Sequence, residues 1–153
     1  MRSRFHRSLS VCVAVISGAA GVIISTSAVS RPPPPPVGPT VEVSLVRQDQ
    51  SDCTNSNVHA DDPSLIGGSA WVVRQPNGIT SVKVGITAKP NTKYNFFLKC
   101  VKQLGDITTQ DEGEGQGLFE FPTNSVGSVF AFDMYPDGAP PGNTYQSVQV
   151  SFQ

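Results

Sequence analysis

The stretch ITSVKVGITAKPNTKYNFFLKC, residues 79–100, has apolar side chains at every second position on both sides of a polar turn. These positions are Val82, Val84, Ile86 and Ala88 before the turn, and Tyr94, Phe96, Leu98 and Cys100 after it. A period of two residues is typical of a β-strand with one face in the core. The intervening KPNT has the composition of a turn. The stretch therefore predicts two consecutive strands.

The same alternation continues in both directions from this stretch. It recurs in VEVSLV, SAWVVR, GLFEF, SVFAFDMY and SVQVSF, and no window of helical length has a period of 3.6 residues. Turn sequences such as QPNG and YPDGAPPGN separate these segments. We therefore predict that residues 40–153 form an all-β domain, an antiparallel two-layer β-sandwich of about seven strands with an immunoglobulin-like form.

The N-terminal 39 residues have a different composition. MRSRFHR carries three arginines, an uncharged and mostly apolar run of 16 residues follows at 9–24, and STSAVS supplies small residues for a peptidase. This order is typical of a secretory signal. A bilayer span needs about 20 apolar residues, which favours a cleaved signal over a retained anchor. We predict a signal peptide at residues 1–30, a stiff proline-rich linker at 31–39, and no stable membrane span after processing.

The charge of the processed chain argues against a nucleic-acid partner. Three of the 11 basic residues would leave with the signal, so eight would remain against 12 acidic residues. The remaining lysines are spread through the alternating segments, whereas nucleic acid requires a concentrated basic face. We predict a secreted protein, in the medium, periplasm or envelope of a bacterium, that binds no nucleic acid.

Two cysteines remain after processing, because Cys12 leaves with the signal. In an oxidising compartment Cys53 and Cys100 are expected to form a disulfide. Closing that loop would stabilise the fold by about 4 kcal/mol on the loop-entropy model. Two free thiols or a redox-active pair are the alternatives, and the lack of a C-x-x-C motif disfavours the redox pair.

A second stretch, TTQDEGEGQGLFEF at residues 108–121, mixes acids with glycines. The acids are Asp111, Glu112 and Glu114, and the glycines are Gly113, Gly115 and Gly117. Glycines permit the positive φ and the bulge of a hairpin tip, which is the favoured interpretation. A calcium site on the three carboxylates is the alternative, although the D-x-D-x-D-G rhythm is absent. We therefore predict no cofactor, with calcium as the alternative.

Residues 48–64 are polar, long and without periodicity, and they contain HADD. His59, Asp61 and Asp62 could hold a metal weakly, but the acids before Pro63 suit an Asx turn or a capping role better. His59 would also have to serve as the base for a serine nucleophile, and no G-x-S-x-G motif is present. Nothing apolar flanks the carboxylates as an acid catalyst requires. We predict that the protein is not an enzyme.

Two short resemblances point to secreted β-sandwiches. AKPNTKYNFFLKC, with Pro90 four residues before Tyr94, resembles the corner of fibronectin type III and related immunoglobulin-like domains, in which the tyrosine hydroxyl bonds backward to the chain. TTQDEGEGQGLFEF is similar to the hairpin of carboxypeptidase-regulatory-like and collagen-adhesin B-type repeats. The resemblance implies a non-catalytic stalk or binding module on a secreted or surface protein, and it supplies no catalytic residues.

Aromatic residues outside the core pattern are candidates for ligand contact. They are Trp71 and Phe97, and Tyr135 and Tyr145 beside the PDGAPPGN loop. The favoured interpretation of Phe97 is that a loop or sheet edge covers it. We expect a secreted, non-catalytic binding or envelope-associated module for an unknown protein or glycan. A calcium-dependent carbohydrate-binding module and a purely structural envelope component are the alternatives.

Overall fold

The computed structural model describes residues 38–138 and 143–153. The predicted signal peptide at residues 1–30 lies outside the described residues, as do 31–37 of the predicted linker and 139–142 of the YPDGAPPGN turn. Within the described ranges, no helix has the length and apolarity needed to cross a membrane.

The described residues form ten strands and two short 3₁₀ turns, so the all-β prediction is confirmed. The strands are β1 Thr40–Val46, β2 Ile66–Arg74, β3 Ile79–Thr87, β4 Lys93–Leu98, β5 Lys102–Thr108, β6 Glu114–Pro122, β7 Val129–Phe130, β8 Phe132–Pro136, β9 Tyr145–Ser147 and β10 Val150–Ser151. The 3₁₀ turns are Pro63–Leu65 and Thr123–Ser125.

Eight of the strands form one sheet in the order β5-β4-β8-β9-β1-β2-β3-β6, and β7 pairs with β10 in a separate ribbon. Every pairing is antiparallel, as predicted. The predicted number of about seven strands was too low. The two outermost strands, β5 and β6, also come into contact. The sheet is therefore a single, strongly curled one that nearly closes on itself.

The curled sheet has two walls that face each other across one core. We call β5, β4, β8 and β9 the β4 wall, and β1, β2, β3 and β6 the β2 wall. Phe96 of β4 stacks on Phe119 of β6, with 4.9 Å between ring centroids. The buried residues are largely the predicted period-two positions: Val82, Val84, Ile86, Tyr94, Phe96 and Leu98. Removing a side chain of this kind from water contributes about 1.5–3 kcal/mol. Cys100 departs from the pattern, because it is exposed at a turn with a φ of 57°.

The glycines of the acidic stretch have two different roles. Gly113 has a φ of 82°, as the turn between β5 and β6 requires. Gly115 and Gly117 lie within β6, where a Cβ would be 2.9 Å from Ile107 and 2.5 Å from the Phe119 ring respectively. The prediction that all three glycines serve the hairpin tip was therefore wrong for two of them. Gly115 and Gly117 make room for core side chains.

Tyr94 joins the start of β4 to the preceding turn. Its hydroxyl accepts a hydrogen bond of 3.2 Å from the backbone N–H of Lys89. Burial raises the pKa of Tyr94, so the phenol stays protonated. This is the backward bond that the resemblance to fibronectin type III domains implied. Membership of that family stays a prediction.

Candidate binding site

A long loop covers part of the β4 wall on its outer face. The predicted disulfide between Cys53 and Cys100 is present and joins this loop to the turn after β4, with 5.5 Å between the Cα atoms. We call residues 47–62 the cover loop. Asn55 of this loop is fully buried, and its Nδ2 donates to the carbonyl oxygens of Phe132 (3.3 Å) and Ser147 (2.9 Å).

Lys99 lies beneath the cover loop, although the alternation of β4 places it on the outer face of the sheet. Its side chain is 6% exposed. The Nζ atom donates to the Gln50 carbonyl oxygen at 2.6 Å and to Asn55 Oδ1 at 2.5 Å. It also lies 3.5 Å from Asp133 Oδ1. The ammonium group thus donates two hydrogen bonds and forms an ion pair with Asp133, whose Oδ1 atom is buried and has no hydrogen-bond partner among the described residues. Sequence reasoning missed this cluster.

Asp133 and Gln146 complete the buried cluster from strands β8 and β9. Burial raises the pKa of the Asp133 carboxyl group, and the nearby Lys99 ammonium partly offsets this shift. Gln146 is 1% exposed and exchanges two hydrogen bonds with the Gln50 backbone, at 2.8 and 2.9 Å. Lys99 and Gln146 both form hydrogen bonds to the cover loop, so the cluster holds the loop in place. The signal for it in the sequence was the position of Lys99 beside the cross-linked Cys100.

The acidic stretch forms the turn between β5 and β6. The Gln110 N–H donates to the Glu114 carbonyl oxygen at 2.8 Å, and the Gly113 N–H donates to the Gln110 carbonyl oxygen at 2.9 Å. The side chains of Asp111, Glu112 and Glu114 are exposed. Within residues 38–138 and 143–153, no group of three or more His, Cys, Asp or Glu is placed to hold a metal ion. The calcium alternative stays a prediction.

The HADD segment ends the cover loop. Asp62 caps the 3₁₀ turn, because its Oδ1 accepts from the Ser64 backbone N–H at 2.9 Å and from the Ser64 hydroxyl at 2.7 Å. The hydrogen bonds from Ser64 lower the pKa of Asp62. His59 and Asp61 are exposed. Asp62 therefore has the capping role that Pro63 suggested.

Trp71 lies on the outer face of the β2 wall, where no loop equivalent to the cover loop is described. It is partly exposed, and its indole ring extends over Gly85 of β3, 3.6 Å from where a Cβ would be. Lys83 Nζ is 5.9 Å from the ring centroid, within the range of a cation–π contact. Because Gly85 has no side chain, the indole can extend over β3, and the ring stays partly exposed beside Lys83.

A shallow groove of about 410 Å³ runs beside this indole. The neighbouring strands pair in register, so that Ser69 of β2, Gly85 of β3 and Gln116 of β6 form one row across the sheet. Glu114 and Thr87 line the groove at its β6 end. Gln116, Glu114 and Thr87 are exposed, so their amide, carboxylate and hydroxyl groups face solvent. The groove thus combines a flat aromatic surface with a polar rim.

The other aromatic candidates are placed differently. Phe97 projects outward from β4 and stacks on Tyr135 of β8 at 4.7 Å with 14° between the ring planes. It is therefore partly covered, by Tyr135 rather than by a loop. Tyr145 packs edge-on against Tyr94 at 6.1 Å and over Gly67. Tyr145 is thus part of the packing between strands.

No protein-family model and no curated protein matches the sequence. The assignment of a function therefore rests on the geometry of the Trp71 groove and on the chemistry of its rim.

Proposed function

We propose that the protein is a secreted, non-catalytic binding module that holds a neutral glycan in the groove beside Trp71. The observation that carries this proposal is the partly exposed indole, which lines a groove on the outer face of the sheet together with hydrogen-bonding side chains. Sugar rings have one apolar face of C–H groups, which packs well on an aromatic ring, and an equatorial rim of hydroxyls. The Trp71 ring suits the apolar face of the sugar. Ser69, Gln116 and Glu114 suit its hydroxyl groups.

The shape of the groove favours a polymer over a small molecule. The groove is shallow and open along the sheet, so it would contact a chain of sugars from one side. A site for a free small molecule usually encloses most of the ligand surface. Among the described residues, the groove lining includes the Glu114 carboxylate and no lysine or arginine, which suits a neutral glycan better than an anionic one.

A binding role is also supported by the position of Asp133, the carboxyl group whose pKa is raised. Acid catalysis needs a carboxyl group whose pKa is raised. Burial raises the pKa of Asp133, but this group is ion-paired with Lys99 beneath the cover loop. Asp133 is thus engaged by Lys99. Secretion is supported by the Cys53–Cys100 disulfide, because such bonds persist in oxidising compartments. We also propose that the two facing walls correspond to the two layers of an immunoglobulin-like sandwich.

Retention on insoluble glycans tests the proposal. The mature protein would be applied to chitin, cellulose and β-1,3-glucan, with Trp71→Ala and the matched control Val73→Ala, which alters the same face of β2 outside the groove. We expect at least one glycan to retain the wild type and Val73→Ala. We expect Trp71→Ala to bind about tenfold more weakly, as the loss of about 1.4 kcal/mol of aromatic contact implies.

Three outcomes have distinct meanings. Equal retention of Trp71→Ala and Val73→Ala, or no retention on any of the glycans, would refute the Trp71 site. Retention that disappears in chelator would instead support the calcium-dependent alternative, because Glu114 of the predicted calcium set lines the same groove. The absence of any ligand effect together with wall association would favour the purely structural alternative.

A further inference from the structure

The outer face of the β4 wall has a second aromatic surface beside the cover loop. Phe97 of β4 and Tyr135 of β8 are diagonal neighbours, since Asn95 pairs with Tyr135 and Phe97 pairs with Asp133. The two rings lie nearly parallel, and both residues are partly exposed. Asp133 of the Lys99 cluster pairs with Phe97, so the aromatic pair lies next to the covered part of this face and is itself only partly buried.

Polar side chains next to the aromatic pair are already held in a fixed arrangement. Asn95 Nδ2 donates to Asp137 Oδ1 at 2.7 Å. Gln103 Nε2 donates to Asp106 Oδ1 at 2.7 Å and to Asn95 Oδ1 at 3.2 Å. Lys93 Nζ lies 2.9 Å from Asp106 Oδ2. Because these side chains brace one another, a ligand would lose little of its binding energy to ordering them.

The array retains hydrogen-bonding capacity toward solvent. Each carboxylate offers about four lone-pair sites, and the contacts above use only part of them at Asp106 and Asp137. Two carboxylates against one ammonium group make this surface mildly acidic. Such a surface repels uronates, phosphates and nucleic acid, and it accepts hydrogen bonds from neutral hydroxyls. Next to stacked aromatic rings, this chemistry fits a neutral saccharide.

We infer that Phe97 and Tyr135, with their polar array, form a second saccharide-binding surface, so that one molecule bridges two glycan chains. The bridging activity rests on the proposed Trp71 site, whereas binding at the Phe97–Tyr135 surface does not. The two surfaces point away from each other. Phe96, the neighbour of Phe97, stacks across the core on Phe119 of the β2 wall, which places Phe97 on the outside of one wall and Trp71 on the outside of the other. A short oligosaccharide cannot contact both surfaces.

Aggregation of glycan-coated particles tests bridging separately from binding. Chitin and cellulose particles would be mixed with the mature wild type, Trp71→Ala, Tyr135→Ala and the exposed-site variant Gln103→Ala. We expect the wild type to aggregate the particles. We expect the three variants to need at least about tenfold more protein, because losing either surface removes the avidity of a bivalent molecule. Particles coated with polygalacturonate should not aggregate.

The emission of Trp71, the only tryptophan in the chain, separates the two sites during titration with chitohexaose and cellohexaose. Tyr135→Ala and Gln103→Ala should leave the emission titration unchanged while they raise the protein concentration needed for aggregation at least about tenfold. If both variants aggregate particles as well as the wild type does, this inference is wrong, and an intact emission change would show that the Trp71 site survives. If Trp71→Ala is still retained on the particles and Trp71→Ala/Tyr135→Ala is not, the second surface binds on its own. Full retention of that double variant would overturn the inference of a second binding surface.

Discussion

The outer faces of the two walls come from the same sequence pattern and differ in how much of each face is covered. On the β2 wall the outward residues Trp71 and Gln116 remain accessible. On the β4 wall the outward residues Lys99 and Gln146 are buried, because the cover loop lies over them. Period-two alternation determines which side chains leave the core. A loop that is distant in sequence determines which of those reach solvent, and hence which are available to a ligand.

Among the variants that test this difference between the walls, Lys99→Ala should lower the free energy of unfolding the most. Removing the ammonium leaves the Asp133 carboxylate and the Asn55 Oδ1 atom without their partner, and breaking a buried pair of this kind typically costs about 3–5 kcal/mol. Lys83→Ala, on the exposed face of the β2 wall, should cost about 1 kcal/mol or less, because it removes only an exposed cation–π contact. Urea unfolding of both variants measures the difference between their free energies of unfolding. Equal costs would mean that the cover loop does not protect the Lys99 cluster.

The double variant Cys53→Ser/Cys100→Ser should have the next largest effect. Freeing the cover loop from the turn after β4 should lower the free energy of unfolding by about 2–4 kcal/mol, since the unfolded chain regains the entropy of an open loop. Chemically reduced wild type is the control and should unfold at the same denaturant concentration. If neither change alters the unfolding midpoint, the disulfide does not contribute to the fold.

Gly117→Ala should lower the stability of the fold by a smaller amount, because it changes only the contact between the two outermost strands. The new methyl group would meet the Phe119 ring, and overpacking of this kind costs about 1–3 kcal/mol. Gly127→Ala is the matched control, because nothing lies within 4 Å of its Cβ position. Thermal melts of both variants should therefore differ. A Gly117→Ala variant as stable as Gly127→Ala would contradict the proposed role of the β6 glycines.

The pH dependence of stability should show the burial of Asp133. Because the pKa of this group is raised in the folded state, the folded protein holds the proton more tightly than the unfolded chain does. The resulting stabilisation is fully present below the ordinary value of 3.8 and is lost as the pH rises through the raised pKa. In urea unfolding series from acidic to neutral pH, wild type should lose stability relative to Asp133→Asn. A relative gain with rising pH would mean that the Lys99 ion pair outweighs burial.

Much of the fold could be predicted from the sequence, because it depends on local chemistry. Alternation identified the strands around Val84 and Phe96, and the pairing of Cys53 with Cys100 followed from there being two cysteines after processing. Other features depend on distant parts of the chain. Which strand lies beside which, such as β9 beside β1, is not set by periodicity, so the single curled sheet was missed. The role of Gly117 depends on where the Phe119 ring lies.

The candidate site was predicted only in part, for the same reason. Trp71 and Phe97 were identified as outward aromatics, since their positions in the alternation indicate the face they occupy. Their surroundings were not predictable. Gly85 lies under the indole because β2 and β3 pair in one particular register. Gln116 reaches the groove through the register of β3 with β6. Registers of this kind depend on the packing of the whole sheet.

The most direct test of the central claim is the emission of the unmodified protein's single tryptophan during titration with soluble chitohexaose, cellohexaose and laminarihexaose. If a glycan packs on the exposed part of the Trp71 ring, at least one of these sugars should shift the emission to shorter wavelength in a saturable manner. It should also protect the indole from quenching by acrylamide. A sugar that binds by calorimetry while the emission and the quenching stay unchanged would contradict the account, because the glycan would then bind elsewhere.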